Sequence, residues 1–169
     1  GTKTNTNLQI IEQISGGYKV QTLNTDGAGA NTTALVASDG STGATMASRV
    51  IIMGAVSAQA ITGNKILTMP VLTENFYLIK NSTSGAYTVQ LKAASGSGAT
   101  VTWGTTDKDW KLIYFDGVAT NTGVYDLGLT TAANTQTLTN KTLTSPKIGT
   151  SILDTNGLQL ALLTATGSA

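Results

Sequence analysis

Short runs of alternating apolar and polar residues, separated by turn signals, fill the middle of the chain. A period of two residues is that of a β-strand with one buried face, and runs about ten residues apart are typical of a β-sandwich or jelly roll. Gly, Pro, Asn and Asp separate the runs, as they do in turns. The predicted strands are 49–56, 60–69, 75–80, 86–93, 99–103, 109–115 and 123–127. They define a predicted compact domain over residues 48–128.

Two of these strands differ in the number of faces that they are expected to bury. Tyr87, Val89 and Leu91 alternate with polar residues, which predicts one face on the core and one in water. In 110–115 both alternating sets are largely apolar, with Trp, Leu and Tyr on one side and Lys, Ile and Phe on the other. That strand is therefore predicted to be covered on both faces.

Residues 1–47 predict a β-hairpin followed by a shoulder rich in Gly and Thr. Apolar runs at 8–14 and 18–23 flank Ser15-Gly16-Gly17, a combination typical of two strands joined by a tight turn. The tract 25–47 contains two Asp-Gly turn signals and predicts short strands and loops. No segment of the sequence sustains an apolar period of 3.6 residues, so no helix is predicted.

Residues 129–169 predict an elongated β-stalk, because their apolar anchors recur every five residues. Neither a helix face nor a strand face has that period. Either the backbone bends at each repeat, as in a single-chain solenoid, or neighbouring chains contact it from both sides. The anchors are Leu138, Leu143, Ile148, Leu153, Leu158 and Leu163.

The residues between the anchors favour the multi-chain alternative. A pentapeptide solenoid needs a small apolar residue two places before each anchor, whereas Gln136, Lys141 and Pro146 stand at three of these places. A stalk this short also cannot bury six large aliphatic side chains by itself, but three copies around an axis can. The expectation is a parallel homotrimeric fibre.

Composition supports repetitive β-structure and excludes several classes of protein. Charged residues make up 11% of the 169 residues, against about 25% in an average soluble domain. The ten basic residues form no cluster of the kind that binds nucleic acid, and no apolar run approaches the ~20 residues that span a bilayer. The absence of His and Cys excludes imidazole bases, thiolate nucleophiles and the usual zinc sites. We therefore predict no catalytic residue, cofactor or metal.

Two groups of side chains are candidates for chemistry, and each has a plainer interpretation. Asp107 and Asp109, with Asp116 nearby, could form a calcium site or a carboxylate pair, but turn carboxylates balanced by Lys108 and Lys111 explain the pattern better. The aromatic residues could form a sugar-stacking platform, but aromatic residues in strands more often pack in cores or interfaces. These aromatic residues are Trp103, Trp110, Tyr87 and Tyr114.

The Gly-rich stretches 96–98 and 27–29 are predicted to be turns rather than phosphate loops. Neither is followed by a helix or by Gly-Lys-Thr, which a phosphate loop requires.

Four segments of the chain have a distinctive wording: TNKTLTSPKI at 139–148, ILDTNG at 152–157, LLTATGSA at 162–169 and, in the middle domain, FYLIKNSTSGAYTV at 76–89. Through these segments about two thirds of the chain, from roughly residue 60 onward, resembles bacteriophage tail-fibre and other virion-fibre proteins. The resemblance implies a homotrimeric β-rich fibre that projects from a virion toward a bacterial surface. The expected function is therefore that of a non-enzymatic spacer that presents a host-recognition tip.

Other functions stay open at this stage. The chain could itself bind a bacterial glycan or an outer-membrane receptor, or it could be the subunit of an extracellular filament or a capsid decoration protein. The expected partners are copies of itself and other virion proteins, with no nucleic acid and no membrane insertion.

Overall fold

In the computed structural model the chain forms two compact units, Gly1–Asn134 and Thr135–Ala169. The structure describes residues 2–24, 31–37, 44–128, 152–153 and 159–161. In the second unit, strand β10 (Ile152–Leu153) pairs antiparallel with β11 (Gln159–Ala161). Except for Leu153, which lies in β10, the predicted stalk anchors lie outside the described residues. No helix in the described part of the chain is long and apolar enough to cross a membrane.

The described part of the first unit contains one α-helix, one short 3-10 helix and nine strands. The helices are α1 (Thr2–Gly16) and the 3-10 helix Thr45–Ala47. The strands are β1 (Tyr18–Gln21), β2 (Thr32–Ala34), β3 (Val50–Ala60), β4 (Lys65–Met69), β5 (Glu74–Ser84), β6 (Val89–Ala93), β7 (Val101–Trp103), β8 (Trp110–Asp116) and β9 (Val124–Asp126). Each of the seven strands predicted between residues 49 and 127 overlaps one of β3 to β9, so the fold is mainly β, as expected.

From β1 to β6, successive strands alternate between two sheets, so that this part of the chain winds as a coil. One sheet has the order β1-β3-β5-β8-β9 and the other the order β2-β4-β6-β7. Within each sheet the strands from the first three coils pair in parallel. The later strands β7, β8 and β9 add antiparallel neighbours. The two-layer arrangement matches the predicted sandwich, but the predicted jelly-roll topology is wrong, because a jelly roll is built from antiparallel Greek keys.

The core lies between the two sheets. Ile51, Ile79 and Ile113 point inward from the five-stranded sheet, and Leu67 and Leu91 point inward from the four-stranded sheet, each at most 1% exposed. Burying an aliphatic side chain of this size stabilises the fold by about 1.5–3 kcal/mol. β6 has the predicted alternation, with Val89 and Leu91 buried and its intervening residues half-exposed.

The predicted N-terminal hairpin is wrong, because residues 8–14 belong to α1. The Gly16-Gly17 pair ends this helix instead of turning a hairpin. The Gly17 N–H donates to the carbonyls of Glu12 (3.3 Å) and Gln13 (3.2 Å). Glycine is common both in hairpin turns and just after helix ends, so the pair alone could not distinguish the two.

The predicted domain boundary at residue 48 falls inside the sandwich. β1 pairs with β3 and β2 pairs with β4, although both β1 and β2 precede that boundary. Parts of the predicted shoulder, 25–30 and 38–43, lie outside the described residues.

Candidate functional site

The side of the five-stranded sheet that points away from the core is largely apolar. Alternate residues of a strand point to opposite faces, so the residues between the buried ones share this side. We call it the outer face. Its residues are Tyr18, Val20, Val50, Ile52, Glu74, Phe76, Leu78, Lys80, Trp110, Leu112, Tyr114, Asp116, Tyr125 and Leu127.

Cross-strand pairing aligns these residues in rows. In the middle row Tyr18 pairs with Val50, Val50 with Leu78, and Leu78 with Leu112. The row reaches Leu127, whose N–H donates to the Leu112 carbonyl at 2.8 Å. Directly opposed side chains stand close enough to contact each other. An apolar row therefore crosses β1, β3, β5 and β8 and ends at Leu127, directly after β9.

The rows on either side are also rich in aromatic residues. Phe76 pairs with Tyr114, which pairs with Tyr125. On the other side, Lys80 pairs with Trp110, and its ammonium lies 5.6 Å from the centre of the indole ring. That contact is a cation–π interaction, and it lets the Lys80 ammonium lie against an aromatic surface.

Much of this apolar surface is open to solvent within the described chain. Tyr18 is 62% exposed, Phe76 54%, Leu127 56% and Tyr125 44%. The members on the inner strands, such as Leu78 and Leu112, are half-buried. The sequence predicted that 109–115 would be covered on both faces, and the described chain covers only the side toward the core.

One end of the outer face carries the carboxylate of Asp116, which accepts hydrogen bonds from nearby residues. Asp116 accepts hydrogen bonds from the backbone N–H groups of Val118 (3.0 Å) and Gly123 (2.8 Å) and from the Tyr125 hydroxyl (3.2 Å). The two backbone hydrogen bonds are the main reason why the pKa of Asp116 lies below its usual value. The hydrogen bond to Asp116 in turn raises the pKa of Tyr125.

The outward side of the four-stranded sheet has a different character. Its side chains are mostly short and polar, and its one charged residue is Lys92. They are Thr32, Ala34, Ile66, Thr68, Gln90, Lys92 and Thr102. The two outward sides of one sandwich therefore differ, and only the five-stranded sheet presents an apolar surface of the kind that marks an interaction site.

The four aromatic residues singled out from the sequence do not form one platform. Trp103 is fully buried in the core, where its ring N–H donates to the Asp109 carbonyl at 3.1 Å. Trp110 and Tyr114 lie on the outer face, and Tyr87 lies in the loop before β6. No local pattern marks Tyr18, Phe76 or Tyr125 as site residues, because only strand pairing brings them to this surface.

The acidic residues singled out from the sequence act as turn acceptors and ion-pair partners. Lys111 Nζ lies 3.0 Å from Asp107 Oδ2 and 3.1 Å from Asp126 Oδ2. Burial tends to lower the pKa of Lys111, but hydrogen bonds to the two carboxylates outweigh it and leave that pKa raised. Asp109 accepts a hydrogen bond from the Trp110 N–H at 2.8 Å. Within the described residues no three acidic, His or Cys side chains are grouped so that they could hold a metal ion.

A cavity of about 300 Å³ lies between α1 and one end of the sandwich. Ile10, Ile14, Arg49, Asn75 and Tyr77 are among its lining residues. Burial raises the pKa of Tyr77, although the nearby Arg49 charge and a hydrogen bond from Asn75 oppose that effect.

The polar groups of this cavity hold the structure together. The Tyr77 hydroxyl donates to the Met46 carbonyl at 3.0 Å, and the Arg49 guanidinium donates to the Asn75 side-chain oxygen. Arg49 also lies 5.2 Å from the centre of the Phe76 ring. These contacts fix the end of the sandwich and provide no nucleophile or general base.

Comparisons with protein-family models, with curated protein sequences and with solved structures find no match to this chain.

Proposed function

We propose that this chain is a structural segment of a bacteriophage virion fibre, which assembles as a parallel homotrimer and acts as a spacer carrying a host-recognition tip. The observation that carries the proposal is apolar surface left over after the core is formed. Among the described residues, twelve large apolar side chains are exposed although the two sheets already enclose a core. Such a surface suits a chain that is buried among copies of itself.

Helix α1 contributes to this surplus of apolar surface. Leu8 and Ile11 are each 59% exposed and Ile14 is 44% exposed. At 3.6 residues per turn these three side chains form a stripe about 120° wide along the helix. A stripe of this kind is suited to packing against parallel helices of neighbouring copies.

The C-terminal sequence supports the same proposal. The apolar anchors recur at five-residue intervals, and the phrase TNKTLTSPKI at 139–148 resembles virion-fibre proteins. In the proposed trimer, the aliphatic anchors of three chains cover one another around the axis. The proposed location is the virion, and the other proposed partners are neighbouring virion proteins.

The proposed role is non-enzymatic. The chain has no His or Cys, and Asp107, Asp116 and Asp126 are engaged by Lys111 or by backbone N–H groups. A spacer needs stiffness and assembly, which strand pairing and burial between chains supply. We propose no cofactor and no metal.

Light scattering coupled to size-exclusion chromatography tests the proposal. One chain has a mass of 17.3 kDa, and the intact chain is expected to elute with three times that mass. A mass equal to one chain at all accessible concentrations would refute the trimer. Electron microscopy of the same sample separates closed trimers from the open polymers expected of a filament subunit.

A second candidate function is direct binding of a bacterial surface glycan or outer-membrane receptor. The observation that favours it is the exposure of Tyr18, Phe76 and Tyr125, since exposed aromatic rings can stack on sugars. Binding of the purified chain to host cells, with loss of binding in Phe76→Ala, would support this function over a plain spacer.

A further inference from the structure

We propose that the outer face of the five-stranded sheet is the subunit interface of the assembly, and that a second and a third copy of this chain cover it. This inference rests on the proposed homotrimer and identifies the surface that forms it. It concerns residues 18–127 and is independent of the anchors in 135–169.

The size of the apolar surface fits an interface between proteins. Tyr18, Phe76 and Tyr125 are 62%, 54% and 44% exposed, and aromatic side chains of about 200 Å² each then leave roughly 300 Å² in solvent. Leu127 and the half-buried residues of the three rows bring the patch to roughly 600 Å². A standard interface buries about 800 Å² on each partner.

The chemistry of the surface fits a protein partner better than a sugar. The centre of the face is aliphatic, with Val50, Leu78 and Leu112 side by side, and offers no carboxylate or amide for sugar hydroxyls. Its two charged ends lie on either side of this centre, with Lys80 over Trp110 at one end and Glu74 opposite Asp116 at the other. Depletion of charge at the centre and enrichment in aromatic residues are typical of interface cores.

One outward side of the sandwich is apolar and the other is polar. This difference favours a closed ring made of copies of the same chain. Because only one of the two outward sides of the sandwich is apolar, three copies can turn that side toward a common axis and leave the polar four-stranded sheet in water. An open filament needs a second complementary surface on each subunit. The outward side of the four-stranded sheet, with residues such as Thr68, Gln90 and Lys92, does not supply it.

Cross-linking through single cysteines tests the inference directly, because the chain has no Cys of its own. Leu78→Cys places a thiol on the outer face in the central strand of the five-stranded sheet. Ile66→Cys is the matched control, since Ile66 is also a half-buried aliphatic residue on an inner strand but lies on the opposite side of the sandwich. Facing sheets pack about 10 Å apart, so a bis-maleimide of that reach is the appropriate reagent.

Covalent dimers are expected from Leu78→Cys, with the third chain of each trimer left unlinked, and only monomers are expected from Ile66→Cys. In a second experiment, Leu78→Thr with Leu112→Thr should raise the protein concentration at which the mass falls from three chains to one, while Ile66→Thr should leave that concentration unchanged. Emission from Trp103 in a Trp110→Phe background shows that each variant is folded, because Trp103 is buried in the core.

The outcomes separate this inference from the proposed function. If the wild-type chain is a monomer, the proposed trimer fails, and the inference fails with it. If the wild-type chain is a trimer but Leu78→Cys is not linked and the double threonine variant dissociates at the same concentration as Ile66→Thr, only the outer-face interface is overturned. Quenching of Trp110 fluorescence by bacterial lipopolysaccharide, in a chain that does not cross-link, would also overturn it by assigning the face to a glycan.

Discussion

The side-chain amide of Gln59 pairs with the backbone of Leu23 as a neighbouring strand would. Its oxygen accepts from the Leu23 N–H at 2.9 Å, and its nitrogen donates to the Leu23 carbonyl at 2.7 Å. Gln59 lies just beyond a bulge in β3, where the register with β5 shifts after Gly54. The two hydrogen bonds therefore hold the turn that follows β1 against the bulged end of β3.

We expect Gln59→Leu to lower the free energy of unfolding by about 1–3 kcal/mol, because both backbone groups of the buried Leu23 lose their partner. Urea denaturation followed by circular dichroism measures the effect. Gln90→Leu is the control, since Gln90 lies on the polar outward side and makes only a 3.5 Å contact with Thr100. Equal midpoints for Gln59→Leu and wild type would show that the amide contributes nothing.

Asn81 is a polar residue whose side chain is buried and hydrogen-bonded. It is fully buried, donates to the Asp107 carbonyl at 2.8 Å, and accepts from the Thr83 hydroxyl at 2.8 Å. Asn81→Leu keeps the branched shape of the side chain but removes its hydrogen bonds, so we expect a loss of about 2–3 kcal/mol in the free energy of unfolding. Asn5→Leu, on the exposed surface of α1, should change it by less than ~0.5 kcal/mol. Equal urea midpoints for Asn81→Leu and wild type would show that these hydrogen bonds do not stabilise the fold.

Gly98 lies where two loops approach each other closely. A Cβ at this position would meet the carbonyl oxygens of Thr122 and Asn121, the latter at 2.6 Å. Gly98→Ala is therefore expected to cost about 1–3 kcal/mol through displaced backbone. Gly63→Ala is the matched control, because nothing lies within 4 Å of a Cβ there. Thermal unfolding compares the two, and equal melting temperatures would rule out the close approach.

Protonation of Asp116 at low pH should lower the free energy of unfolding. Backbone hydrogen bonds from Val118 and Gly123 lower the pKa of this carboxyl in the folded state from its reference value of 3.8. A depressed folded-state pKa stabilises the fold above the unfolded-state value, and that stabilisation is lost as the pH falls through the folded-state pKa. Urea midpoints measured from pH 5 down to pH 2 should therefore decline less in Asp116→Asn than in wild type. Identical pH profiles would show that Asp116 does not contribute.

The predicted stalk is tested by a charge at one of its anchors. Leu143 lies outside the described residues, and a trimeric stalk would bring its three copies close to one axis. Leu143→Asp would then bury three unpaired carboxylates, which is costly, and the melting temperature of the trimer should fall steeply. Thr139→Asp, at a position between anchors, should have a much smaller effect. Similar melting temperatures for the two variants would contradict the stalk.

Local patterns were sufficient to place most strands of the sandwich. Strand β6 illustrates this, because Val89 and Leu91 are buried and the intervening Gln90 and Lys92 are half-exposed, as the alternation predicts. Helix α1 was missed because its polar first half hides the spacing of Leu8, Ile11 and Ile14, and because the following Gly16-Gly17 is equally typical of a hairpin turn. The parallel pairing was missed because a strand pattern contains no information about which distant strand lies beside it.

The residues of the outer face were also predictable only in part from the sequence. The apolar alternation of Trp110, Leu112 and Tyr114 indicated a covered surface, and these three residues lie on the outer face. Tyr18, Phe76 and Tyr125 join them only through the pairing of β1, β5, β8 and β9.

The sequence by itself determined the mainly β character of the chain, the approximate positions of β3 to β9 and the absence of imidazole and thiol chemistry. These follow from composition and from side-chain periodicity, which are local properties. Only the tertiary structure decided that Tyr18 and Leu127, at the two edges of one sheet, end the same apolar row, and that the opposite side of the sandwich is polar. Strand order depends on contacts between residues far apart in the chain, where the gain from burying two surfaces together outweighs any local preference.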